Sequence, residues 1–239
     1  LSLALGIRTA VQTVAARRLG QGLLKESGVA LRNGLVLASI YAAPTSFFVW
    51  LYSEPLVQFF IDDSIATPLT VDYVSIVFIG LLFSSYSFVF QGFYTGIEKT
   101  KIHMRVTIIS NVLNVYLNAG FIYGSGGVQA FFMEHLPDFY IFSLLWEWAN
   151  FPALGVKGAA IATLISSIWM TAHYAISLFS KETKRDCLVF KISFDRDMMK
   201  RQIQLALPQG IQESFIAIGW GVFYKIVGII GLVELATTE

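Results

Sequence analysis

A single cysteine, Cys187, excludes an internal disulfide framework, and three dispersed histidines, His103, His135 and His173, offer no metal-ligand spacing. No paired acids and no nucleophile motif accompany them, so the chain is not read as an enzyme, and no cofactor or metal is expected. Charge is scarce as well. Charged residues are 14% of the chain and the formal net charge is +1, which leaves no basic footprint for nucleic acid. No basic segment precedes the first apolar stretch, so a secretory signal is not expected.

What the chain has instead is apolar length. Hydrophobic residues are 55% of the sequence and mean hydropathy is +0.63. They fall into six runs, 1–16, 31–52, 71–94, 106–123, 158–179 and 203–233. Crossing the hydrocarbon core takes about 20 apolar residues as helix, and a bilayer admits no open-edged sheet. The fold class expected is therefore all-α, a polytopic membrane helix bundle with the lipid bilayer as its main partner. The loops assign its direction. Arg17, Arg18, Lys25 and Arg32 follow the first run, Lys99, Lys101 and Arg105 the third. Lys181, Lys184, Arg185, Lys191, Arg196, Lys200 and Arg201 follow the fifth. The other two loops hold only Lys157, among Glu54, Asp62, Asp63, Glu134, Asp138 and Glu147. Positive loops stay inside, so the first run descends into the cytoplasm and the sixth exits outward. Cys187 then lies in a reducing compartment.

Two connecting segments stand out. The stretch 124–156 is rich in aromatics interleaved with acids, either an amphipathic segment in the outer interface or a packed cap over the helix ends. The stretch 181–202 is the main shift in composition, and it divides the chain into residues 1–201, a bundle with its inner linker, and residues 202–239, the opening helix of a second bundle. Pro44 and Pro208 lie inside apolar runs, where neighbouring helices re-satisfy the freed backbone groups.

Polar residues within the runs are few and costly. Asn111, Asn114 and Asn118 recur at helical spacing on one side of the fourth run, and Thr163 and Thr171 add hydroxyls to the fifth. Such groups must find partners in a bilayer, either as helix-to-helix hydrogen bonds or as an oxygen-lined cation or proton site. Arg8 stands about 13 Å above Arg17 at the helical rise, facing an acid or an aqueous cavity. Glu213 is the acid well inside the sixth run, where burial is expected to favour its protonated form; Lys225 is placed to snorkel. Gly155, Gly158, Ala159, Ala160 and Ala162 allow close helix packing. Aromatics such as Tyr86, Phe90 and Tyr94 on the third run and Trp220 and Phe223 on the sixth pack helices, face lipid, or line a cleft suited to flat cationic compounds.

Four segments in this order resemble the multidrug and toxic-compound extrusion family of cation-coupled antiporters. They are 9–22 (TAVQTVAARRLGQG), 91–100 (QGFYTGIEKT) with 108–118 (IISNVLNVYLN) and 121–124 (FIYG), 155–166 (GVKGAAIATLIS), and 206–210 (ALPQG) through 227–231 (VGIIG). The resemblance implies a fragment covering the second to seventh helices of a twelve-helix, two-bundle transporter, with the remainder of its own chain as a partner. It also implies an acid on the absent first helix that is central to cation coupling. Asn114, Asn118, Thr163 and the carbonyl of Ala159 fall at positions that contribute to a cation site in relatives. Asn118 stands where many relatives carry aspartate, and an amide lends an oxygen to sodium but does not titrate. Relatives usually have something small at Arg8, and many carry glutamate where this chain has Ile216, one turn beyond Glu213.

The function implied is secondary active export of amphiphilic organic compounds against entering Na+ or H+, by alternating access in a bacterial inner membrane. The coupling candidates are Asn114, Asn118, Ala159, Thr163 and Glu213; Arg8, Tyr86 and Trp220 are candidates for the substrate cavity. A lipid-linked saccharide flippase of the same superfamily is the alternative, favoured by Arg8 and Lys225; a non-transporting scaffold sits poorly with Arg8 and Glu213 inside the membrane. Topology is directly testable. In a Cys187→Ser background, a cysteine at Lys184 is expected to label from the cytoplasm and one at Asp138 from outside; labelling of both from one side would rule out the alternating topology.

Overall fold

The computed structural model describes residues 2–60, 66–180, 183, 187 and 195–230. Lys181, Lys184, Arg185, Lys191, Phe194, Asp62 and Asp63, and the side chains of Tyr224 and Lys225, lie outside the described residues. Among the described residues the chain is helical without a strand. In order they are α1 Ser2–Gly20, α2 Ser27–Leu51, α3 Ser53–Phe60, α4 Ala66–Ile79, α5 Leu81–Gly96, α6 Thr100–His135, α7 Leu144–Glu147, α8 Gly155–Ser177 and α9 Arg196–Ile230. Short 3-10 turns precede α2 and α7.

Three of the sequence boundaries are redrawn. The run 71–94 is two helices, α4 and α5, meeting at a 43° bend. The run 106–123 continues beyond Gly124, whose φ of 72° and ψ of 163° break the helix and which carries no Cβ to resist them. The division after Arg201 falls inside α9, which starts at Arg196. It also separates residues that touch, since the buried Gln202 Nε2 of α9 donates to the Ala30 carbonyl at 2.9 Å; within the first part, Asn33 Nδ2 of α2 donates to the Asp195 carbonyl at 3.0 Å.

By length and composition three helices and the bent pair α4–α5 suffice to cross a membrane. The polar α1 and α9 fall short of that measure, and they are the two that pack most extensively on each other. A helix that faces protein on one side can carry residues such as Gln12, Gln202 and Gln209 that a lipid-surrounded helix excludes. Ala4, Ile7, Ala10, Val11 and Ala15 of α1 are buried, enclosed by α2, α5 and α9. The second tight pair is α6 with α8, and α5 joins the two groups. Outward faces stay apolar, as at Ile40, Phe47, Val112, Val115 and Phe215, consistent with a lipid surround.

At the outer end the segment after Gly124 serves both readings given above. Trp146 Nε1 donates to the Tyr116 carbonyl at 2.8 Å, Tyr116 Oη donates to the Leu145 carbonyl at 2.7 Å, and Phe151 packs over Gly120, so one side is a cap. Its other side presents Phe139, Ile141, Phe142 and Trp148 outward, as an interfacial segment does. Lys157 there pairs with Asp72 of α4 at 3.2 Å. At the opposite end Thr183 and Cys187 are buried, so the inner linker folds against the bundle at those points.

Close approach is set by glycine. A Cβ on Gly92 of α5 would run into the Arg8 carbonyl of α1, one on Gly6 into the Ala206 carbonyl of α9, and one on Gly158 of α8 into the Phe121 carbonyl of α6. Each obstacle is backbone and cannot step aside. Gly92→Val is therefore expected to cost at least about 1–3 kcal/mol through overpacking and to lower the thermal midpoint in detergent. Gly219→Ala, where a Cβ meets nothing within reach, is expected to leave it unchanged or raise it, since alanine is the better helix former by ~1 kcal/mol.

Candidate functional site

The faces of α6 and α8 that meet carry several of the polar residues of both helices, so a hydrogen-bonded seam runs between them. In its upper part Asn118 Nδ2 donates to Asn114 Oδ1 at 2.9 Å, and Asn114 Nδ2 reaches Ser166 Oγ of α8 at 3.4 Å. Thr163 Oγ1 donates to the Ala159 carbonyl at 2.9 Å. The four residues expected from the sequence thus lie on one helix pair, half-buried, in two hydrogen-bonded couples. Asn111 departs from them and is exposed. The oxygens present, amide, hydroxyl and carbonyl, are the hard donors that Na+ takes; Asn114 Oδ1 and the Ala159 carbonyl already accept internal hydrogen bonds. An entering cation would exchange those bonds for coordination. Among the described residues no group of three His, Cys, Asp or Glu is placed to hold a metal ion.

Lower in the same seam lies a cluster that sequence reading passed over. His103 Nδ1 of α6 is 2.6 Å from Tyr174 Oη of α8 and 3.2 Å from Thr107 Oγ1, and its Nε2 is 2.8 Å from Gln91 Nε2 of α5. Tyr174 is buried between rings: its centroid is 5.9 Å from Phe90, 5.8 Å from Tyr94 and 6.3 Å from His103. Tyr94 Oη donates to the Tyr174 carbonyl at 3.2 Å. Above this stack Ser87 and Thr171 share a hydrogen bond at 2.9 Å, and Ser84 reaches Ser167 at 3.3 Å. The groups border a cavity of about 240 Å³ whose other walls are Phe88 and Met170. Its polar lining mixes donors and acceptors, and none of its lining residues is an acid.

The remaining candidates lie apart. Arg8 is half-buried on α1, electrostatically coupled to His103 and Tyr174, and no ion pair of Arg8 occurs among the described residues. Tyr86 Oη meets Ser39 Oγ of α2 at 2.7 Å and so ties α5 to α2. Trp220 is on the exposed side of α9, edge-on to Phe223 at 5.8 Å. Glu213 is half-buried one turn beyond Gln209, whose Nε2 donates to Glu213 Oε1 at 3.2 Å. A larger cavity, about 560 Å³, opens between the inner ends of α1 and α9, lined by Arg17, Arg18 and Arg201 opposite Asp195 and Asp197.

Comparison with known proteins agrees with this architecture. The MatE family model matches residues 1–119. The chain is 25% identical over 171 residues to a protein of Shewanella oneidensis named FAD transporter, a match that covers 72% of this chain and 32% of that one. It superimposes with a TM-score of 0.77 on a MOP superfamily transporter from Pyrococcus furiosus, described as having a binding pocket of reverse polarity. That match has 21% identity and covers 98% of this chain and 46% of the other. A multidrug resistance MATE family transporter in an outward-facing conformation gives a TM-score of 0.74 at 21% identity, over 98% and 47% of the two chains. The chain spans about a third of the curated relative and just under half of the solved structures. The family model over α1 to α5 and the first part of α6, the superposition over nearly the whole chain and the helix order α1 to α9 agree: the chain belongs to the MatE family.

Proposed function

We propose that the protein is a secondary active antiporter that exports amphiphilic organic compounds in exchange for entering Na+ or H+. The observation that carries this reading is the paired Asn118–Asn114 and Thr163–Ala159 oxygens between α6 and α8, deep in two membrane spans. Polar groups there are expensive, and the Asn114 amide reaches across to Ser166 of α8, one turn from Thr163, so both couples belong to the contact between α6 and α8. Cation entry breaks two internal bonds and draws α6 and α8 around the ion, which is a differential interaction between two states of the bundle and the requirement for coupling. Glu213 supplies a titratable carboxylate on α9, close to Pro208, and α9 packs along α1, so a change in its charge acts on the contact between α1 and α9. Alternating access as a rocking of helical bundles suits a contact made through Gly6 and Gly210 rather than through interlocked long side chains.

A second reading keeps the architecture and changes the substrate: an anionic compound, such as a lipid-linked saccharide or a nucleotide. Arg8 within a span favours it, as does the name of the Shewanella oneidensis relative. Competition of export by cationic dyes against flavin nucleotides in proteoliposomes separates the two.

In the full-length protein Asn114→Leu, Asn118→Leu and Thr163→Val together are expected to reduce ion-coupled export about tenfold or more while membrane expression is retained. Unchanged ion dependence in a well-expressed triple variant would return the cluster to helix packing. Glu213→Gln preserves size and hydrogen bonding but removes titration. It is expected to abolish or strongly weaken gradient-driven export, and a wild-type rate with unchanged pH and sodium dependence would remove Glu213 from the coupling set.

A further inference from the structure

We propose that His103 is a proton-binding site, separate from the asparagine–threonine cluster, whose occupancy is coupled to the position of α1. The inference deepens the coupled-transport reading and rests on it for the use of the proton, while the site itself is read from geometry. His103 is hydrogen-bonded at both ring nitrogens to residues of its own and two other helices, and it borders a cavity of about 240 Å³ with room for several waters. It lies in the first turn of α6, next to Lys99 and Lys101, at the end of the bundle that the positive loops place inside.

The cluster can satisfy both charge states of the ring. In the neutral state the Gln91 amide donates to Nε2, so the ring proton is on Nδ1 and is donated to Tyr174 Oη. A proton added at Nε2 makes that nitrogen a donor, and a half-turn of the Gln91 amide presents Oε1 to accept it. No backbone has to move for this exchange. Charge is what remains to be balanced. Among the described residues the titratable groups that face His103 from its neighbours are Arg8 of α1, Tyr94 of α5 and Tyr174 of α8, with Cys187 beside Tyr94; Lys101 and Arg105 on α6 itself are exposed. None is an acid. A protonated ring therefore confronts the Arg8 guanidinium as a like charge, and the repulsion acts on α1 because Arg8 sits where α1 touches Gly92. The packing at Gly92 and the proton at His103 oppose each other, so α1 moves from α5 and α6 as the proton binds. Since α1 also carries the contact with α9, the movement reaches the helix that bears Glu213.

The test uses the full-length protein in lipid nanodiscs. Histidine NMR compares wild type with His103→Gln, and spin labels at Thr9→Cys on α1 and Met104→Cys on α6, both exposed positions, report separation in a Cys187→Ser background. Expected are an imidazole titration that is lost in His103→Gln, and a label separation that grows as that titration proceeds. Arg8→Gln keeps the titration and loses the growth in separation. An imidazole at 103 that never takes up a proton, or a pH-dependent separation that survives in both variants, overturns the proposal. If both signatures are present in a protein that exports nothing, the proton site stands and the exporter reading falls.

Discussion

Where the carbonyl of Arg8 meets the bare Cα of Gly92, α1 and α5 are held at backbone distance, and Gly6 sets the same close limit between α1 and Ala206 of α9. Lipid tails are as apolar as the side chains they contact, so helix association in a bilayer relies on van der Waals fit and hydrogen bonds more than on the hydrophobic effect. The small residues of α1 therefore determine the positions of α2, α5 and α9. They also fix the backbone of Arg8 against α5 at Gly92, beside Gln91, whose amide bonds His103 of the polar seam.

That seam shows how a membrane protein can hold many polar groups. Asn114, Asn118, Thr163, Ser166 and, lower down, His103, Thr107 and Tyr174 each find partners on α6 or on a facing helix. Buried polar groups without partners are costly; Ser110 Oγ and His173 Nδ1 are buried here without a partner among the described residues. Polar residues that sit in pairs can exchange an internal hydrogen bond for a ligand at modest cost, and the proposed cation and proton sites both rest on that property.

Much of the architecture was legible in the sequence because bilayer thickness imposes a length on apolar runs. Asn114 and Asn118 could be placed on one side of a helix because spacing is a property of one segment, whereas Thr163, on another run, was grouped with them only by the family resemblance. Other features depend on contacts between segments. Gln91, His103 and Tyr174 come from three helices, and nothing in their separate positions announces their meeting. The bend between α4 and α5 follows an apolar stretch with no proline at the break, where only Gly80 marks it. The helical stretch past Gly124 was hidden for a similar reason: its composition is aromatic and loop-like, and the positive φ of Gly124 breaks the helix before a second helical stretch resumes. The polar content of α1 and α9, which weakens them as spans by composition, becomes intelligible only when the two are seen side by side.

The bend at Gly80 has a mechanical meaning. Above it, α4 lies along α8, α2 and α3; below it, α5 lies against α1 as well as α2 and α8. A straight rod in this place would tilt as a whole whenever α1 shifted, carrying its outer half with it. A span jointed in its middle behaves as a knee: thrust delivered to its inner limb is absorbed at the joint, and the outer limb stays seated on α8. The contact of α5 with α1 and the contact of α4 with α8 can then change independently of each other.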